Sequence, residues 1–178
     1  MSWLLGWVGE PLAVFGAISL VIVLVAVPVT VWRARERRFL VAALRTGRDV
    51  VLLVALALIA ALTFAPLEEE VPRLPVNLLP FRDQLLALEG QIEMGRALSE
   101  LAANVLLFVP LGIALAWRWR RPGALLVAGW ALVVSVAVEA GQAISQTGRQ
   151  ADVTDLLANV GGALLGLLLV RRLGRRRA

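Results

Sequence analysis

The sequence contains no cysteine, no histidine and no lysine. Without cysteine there are no disulfides and no thiolate nucleophile. Without histidine there is no Ser-His-Asp triad and no imidazole-ligated zinc or haem. Any acid–base or metal chemistry is left to carboxylates, arginine, amides and the backbone. No cofactor and no resident metal are expected. Because lysine is absent, all 18 basic residues are arginine, and against 13 acidic ones they leave a formal net charge of +5. A basic chain invites a nucleic-acid reading. These arginines, however, stand in short blocks beside apolar runs, the pattern of membrane topology signals, so no nucleic-acid partner is expected.

What the sequence has in quantity is apolar residues. They make up 60% of it, against roughly 45–50% in an ordinary soluble domain. They gather into runs of the length a bilayer requires, about 17–25 residues. Five such runs lie at 12–32, 50–66, 101–117, 123–144 and 153–170. The expected fold class is all-α: a polytopic membrane helix bundle of five transmembrane helices, multi-pass in the cell membrane, with the lipid bilayer as its first partner. The first run has no basic residue before it and an arginine-rich segment after it, the reverse of a secretory signal. Two regions are expected. Residues 1–66 hold two spans and their arginine-rich loop, and 67–178 hold an outer segment, three spans and a basic tail.

Arginine blocks follow the first, third and fifth runs: Arg33 to Arg48, then Arg118 to Arg121, then Arg171 to Arg177. Cytoplasmic loops carry the excess of basic residues, so the amino terminus is expected outside and the carboxyl terminus inside. Five of the six tryptophans fall near the expected interfaces, which supports this. The link 66–100 would then lie outside. It is acidic, and Pro66, Pro72, Pro75 and Pro80 break its first half. From Gln84 onward Leu85, Leu88 and Ile92 recur at helical spacing between charges. That pattern fits an amphipathic helix on the membrane surface or a solvated helix packed on the bundle.

With this topology Asn104, Glu139, Gln142, Arg149, Asp152, Asp155 and Asn159 converge on the extracytoplasmic end. Glu139 is the sharpest signal. It lies inside an apolar run, too deep for a helix cap, where an ionisable group is costly and points to a site. At about 100° per residue Asp152, Asp155 and Asn159 share an arc of roughly 60°. Glu139 and Gln142 share another face, so two stripes can oppose each other across the turn, closed by Asn104. Structural roles are open to most of these residues. Arg149 can grip a ligand carboxylate or phosphate, or pair internally with Asp152, Asp155 or Glu139. Asp152 suits the N-cap of the fifth helix and Asp155 its first turn. Asn104 and Asn159 suit interhelical hydrogen bonds, and Gly162 with Gly166 suits close helix packing.

Taken in order, several short motifs stand at fixed spacing. They are Asn77-Leu-Leu-Pro80-Phe81, Asn104-x-x-x-Phe108-x-Pro110-x-Gly112 and Glu139-x-x-Gln142, then Arg149-x-x-Asp152-x-x-Asp155-x-x-x-Asn159 and the Gly162/Gly166 pair. Together they resemble the VanZ-like membrane proteins over residues 77–166. The resemblance implies that Asn77, Pro80, Phe81, Phe108 and Pro110 belong with the polar cluster. That family is named for a member associated with resistance to the glycopeptide antibiotic teicoplanin. The first two spans lie outside the resemblance.

Three functions compete. The cluster can bind a polar headgroup, such as a glycopeptide, a lipid-linked wall precursor or an anionic lipid. It can instead serve an enzyme in which Glu139, Asp152 and Asp155 act as acid–base groups or hold a divalent cation. No nucleophile–base pair accompanies them. Or it can be purely structural, in a partner for cell-envelope assembly. Transport through Glu139 protonation has no second half-pathway in the sequence.

Overall fold

A backbone in hydrocarbon must satisfy its own hydrogen bonds, so long apolar runs fold as helices. The computed structural model of the chain describes residues 2–35, 38–63, 76–119, 122–145 and 151–175. In chain order these form α1 (Ser2–Ala34), α2 (Phe39–Thr63), β1 (Val76–Asn77), α3 (Arg82–Leu88), α4 (Met94–Arg118), α5 (Ala124–Ser145), β2 (Ala151–Asp152) and α6 (Val153–Arg175). Among the described residues five helices are long and apolar enough to cross a membrane. This is a multi-pass membrane protein.

Three helices start earlier than their apolar runs, α1 at Ser2 rather than 12 among them. Residues 39–48, expected as an arginine-rich loop, are the first turns of α2, and α4 begins at Met94 rather than 101. Neither stretch contains proline, and both are rich in Ala, Leu and Arg, good helix formers. Hydropathy marks where a helix enters the apolar phase, not where its hydrogen bonding begins.

The expected helix from Gln84 through Ile92 is corrected. α3 ends at Leu88, and Gly90 takes a left-handed φ of 73°. Its N–H reaches Ala87 O at 3.1 Å, and the Gln91 N–H reaches Leu86 O at 2.9 Å. That is a Schellman stop, which glycine adopts without Cβ strain. Ala87 is buried where α3 packs on α4, while Leu85 and Leu88 are exposed.

α4 packs on both α2 and α6, α6 also packs on α5, and α1 runs along α2. In α1 the half-buried positions include Phe15, Ser19, Ile22, Ala26, Val29 and Arg33, with Thr30 and Ala34 beside the last two. Their alternating four- and three-residue spacing is the seam of a left-handed helix pair. The core joins Ile59 of α2 to Phe108, Leu111 and Leu115 of α4, Val127, Ala131 and Val138 of α5, and Ala163 and Leu167 of α6. Lipid is as apolar as these side chains, so association depends on close packing rather than on the hydrophobic effect. Glycine supplies it. A Cβ at Gly162 would overlap the Val105 carbonyl, one at Gly166 the Val109 carbonyl, and one at Gly112 the Ala163 carbonyl.

One end of the bundle is arginine-rich. There Asp49 accepts hydrogen bonds from Arg33 and Arg118, each at 2.8 Å, and Arg171 donates to Pro122 O at 2.6 Å. Asp49 thus joins α1, α2 and α4. Partly exposed surface pairs of this kind contribute about 0.2–1 kcal/mol each. Asp49→Ala is expected to lower the melting temperature by a few degrees at low salt, the difference narrowing as salt rises. Identical melting of variant and wild type at low salt would show that the junction carries no stability.

Candidate functional site

The polar residues gather at the opposite end, around the start of α6. Asp152 immediately precedes that helix, and its Oδ1 accepts the Thr154 N–H at 2.7 Å. It is an N-cap, satisfying one of the donors a helix start leaves open. Its Oδ2 accepts from Asn77 Nδ2 at 2.8 Å, while its own N–H donates to Glu139 Oε2 at 3.3 Å. β1 and β2 pair in parallel, with Val76 opposite Ala151 and Asn77 opposite Asp152. Thr154 Oγ1 accepts the Phe81 N–H at 2.9 Å, and Asn77 Oδ1 accepts the Leu79 N–H at 3.1 Å. The 76–81 segment is therefore stapled to the start of α6, and Phe81 takes a left-handed φ of 57° as the chain turns into α3.

Two expected stripes do meet, through Glu139 and Asp152. The rest divide. Asn104 donates to Asp155 Oδ1, joining α4 to α6. Asn159, one turn further along α6, donates instead to Ser135 Oγ of α5 at 2.8 Å. Gln142 faces α2, donating to Thr63 O at 2.9 Å. Residues sharing an arc of α6 thus serve different neighbours, because that helix lies between α4 and α5. Glu139, Gln142, Asn77 and Asn159 are all buried. Phe108 is buried in the core beside Leu111 rather than at the cluster, and Pro110 lies within an uninterrupted α4. Pro80 and Phe81 are exposed. Arg149 lies outside the described residues.

A small cleft of about 60 Å³ opens here, lined by Asp83, Gln84, Glu100, Asp152, Thr154 and Asp155. At about 30 Å³ per water it admits one small group rather than a whole ligand. Gln84 Nε2 donates to Ala97 O at 3.0 Å, yet among the described residues its buried Oε1 has no partner. The lining therefore offers acceptors: carboxylates and an amide oxygen seeking a donor. Among the described residues no three carboxylates are grouped so as to hold a metal ion. Thr154, Ser135, Thr63, Asp83, Gln84 and Glu100 are participants that motif spacing does not single out. Thr154 carries a signal, two residues past a capping aspartate, and Ser135 lies one turn before Glu139.

The model of the VanZ/LLP1 family matches residues 51–174. This chain belongs to the VanZ/LLP1 family. The match reaches beyond the 77–166 stretch where the motifs lie and takes in the second half of α2, the helix whose Thr63 carbonyl holds Gln142. Comparisons with curated proteins and with solved structures give no match. The geometry at the start of α6 is thus a feature of a VanZ/LLP1 membrane protein, and its chemistry has to be argued from its own atoms.

Proposed function

We propose that this VanZ/LLP1 protein binds a polar end group of a membrane-surface ligand in the cleft beside Asp152 and Asp155. We further propose that it contributes in this way to teicoplanin-type resistance. The observation that carries the reading is a cleft of carboxylates lined also by Gln84, whose buried Oε1 has no partner among the described residues. Buried acceptors are rarely left unmet, and a donor that reached this one would remove a cost of about 1–3 kcal/mol. The group favoured is therefore an ammonium or a sugar hydroxyl, which a glycopeptide or a lipid-linked wall precursor can present. An anionic headgroup would draw on Arg149. With the arginine blocks at the other end taken as cytoplasmic, this reading has the cleft open to the outer surface.

The test is a titration of detergent-purified protein with teicoplanin and, separately, with a lipid-linked wall precursor. Asp83→Asn with Glu100→Gln neutralises two lining carboxylates, gives up only the exposed Arg96–Glu100 pair, and leaves the Asn104–Asp155 and Asn77–Asp152 bonds in place. Binding is expected to weaken about tenfold or more, roughly 1.4 kcal/mol, with the melting temperature of the free protein unchanged. If neither ligand shifts the melting of wild type, or the double variant binds as tightly, the proposal is wrong.

A further inference from the structure

The arginine-rich end holds a second, larger feature. A groove of about 600 Å³ lies between α2 and α4, with Leu44, Gly47, Arg48 and Val51 on one side and Trp117 and Trp119 on the other. The α2 residues follow helical spacing and form one face. Thr46 and Asp49 belong to another face, turned to Arg33 of α1 and, through Asp49, to Arg118 of α4. The ionic junction at Asp49 therefore ties the two helices together beside the groove without filling it.

Arg48 sets this groove apart. Arg33 and Arg118 share Asp49, and Arg171 is held by a carbonyl. Arg48 is half-buried on the wall of the groove, and among the described residues it has no hydrogen-bond or ion-pair partner. An arginine offers five donors in a planar fork suited to phosphate. The adjacent carboxylate, Asp49, already serves two other arginines. Among the described residues the local charge balance is thus positive, and an anion is the group that would complete it.

The remaining walls say what carries that anion. Leu44 and Val51 are apolar. Trp117 is half exposed, and Trp119 stacks on Trp130 with centroids 5.9 Å apart. Tryptophan at the ends of membrane helices marks the headgroup level. A Cβ at Gly47 would meet nothing within 4 Å, so the middle of the groove is open space. Its volume falls in the range of about 300–1,000 Å³ typical of ligand sites, far more than a free phosphate needs.

We propose that this groove is a site for an anionic phospholipid of the leaflet on the arginine-rich side. The phosphate pairs with Arg48, the glycerol region lies over Gly47 and against the tryptophans, and the first acyl carbons lie along Leu44 and Val51. Basic pockets between membrane helices recognise anionic headgroups in this way. The site is separate from the cleft at the start of α6, and its recognition runs opposite: a cation there selects an anion, whereas the carboxylate cleft selects a donor.

The experiment is native mass spectrometry and thermal melting of the full chain in mixed micelles containing phosphatidylglycerol or phosphatidylcholine. Phosphatidylglycerol is expected to remain bound at one equivalent and to raise the melting temperature; phosphatidylcholine should do neither. Arg48→Gln should lower retention about fivefold, the worth of one arginine at a membrane surface. Gly47→Leu fills open space without touching charge and should also displace the lipid. Arg172→Gln, an exposed arginine at the same end and outside the groove, should bind as wild type. Retention unchanged in both groove variants, or lost equally in Arg172→Gln, would overturn the proposal. So would an equal shift from glycerol phosphate alone, which would make the occupant a soluble phosphate. A cross-linked dimer through the groove in place of a lipid adduct would make it a second copy of the chain.

Discussion

Gly162→Leu is expected to yield no correctly packed protein, while Gly161→Ala, one position away on the same helix, is tolerated. The two glycines differ only in what they face. A Cβ on Gly162 would overlap the backbone carbonyl of Val105 in α4, whereas one on Gly161 meets nothing within 4 Å. Gly166 and Gly112 repeat the Gly162 situation against Val109 and Ala163, so α4 and α6 touch backbone to backbone along their crossing. In a bilayer this contact cannot be replaced by ordinary apolar burial, because lipid competes equally for apolar surface. Even Gly162→Ala forces the helices apart, a strain of about 1–3 kcal/mol when a packed interior is overfilled. Leucine adds three further carbons at the same point. Gly161→Ala, by contrast, should be neutral or stabilising by about 0.5–1 kcal/mol, since alanine restricts the unfolded chain. The measurement is monodispersity by size exclusion in detergent together with the melting temperature. Equal behaviour of the two sites would remove the glycine crossing as the basis of α4–α6 association.

Asp152→Ala is the second large effect expected, because one side chain holds two structures together. Oδ1 caps α6 through the Thr154 N–H, and Oδ2 receives the amide of buried Asn77. Loss of an N-cap costs about 0.5–2 kcal/mol. Stranding the buried Asn77 donor costs about 1–3 kcal/mol more. Asp152→Ser separates the two. Serine caps a helix nearly as well, but it is too short to serve Asn77 as well. Asp152→Asn also keeps the cap, and it sets an amide donor against the amide donor of Asn77. Hydrogen exchange gives the readout. In Ser and Asn variants the Thr154 amide should stay protected while the Leu79 amide, bonded to Asn77 Oδ1, exchanges faster. In Asp152→Ala both should exchange faster and melting should fall furthest. Protection at Leu79 that survives all three substitutions would mean the 76–81 segment is held by the Phe81–Thr154 bond and the β1–β2 pairing without the Asn77–Asp152 bond.

Much of this molecule is determined by sequence alone. Long apolar runs leave the backbone no alternative to helix in hydrocarbon, so five spanning helices follow from residue count and hydropathy. The Gly162/Gly166 pair announces a close crossing, and Asp152 ahead of an apolar run announces a cap; both are local rules with few competing solutions. The family motifs are likewise legible as spacing. Other features were decided only by tertiary structure. A buried amide must find a partner, but composition does not say which of several neighbours at equal depth supplies it. Hence Gln142 meets a carbonyl of α2 and Asn159 meets Ser135, although both lie in the stretch that holds Glu139 and Asp155. The pairing of Asn77 with Asp152 spans 75 residues of chain and depends on where α4 and α6 place their ends. Arg48 and Asp49 adjoin in sequence, yet one is tied to two helices and the other lines a groove. Their helix turns them about 100° apart, and only the positions of α1 and α4 around α2 give that angle its meaning.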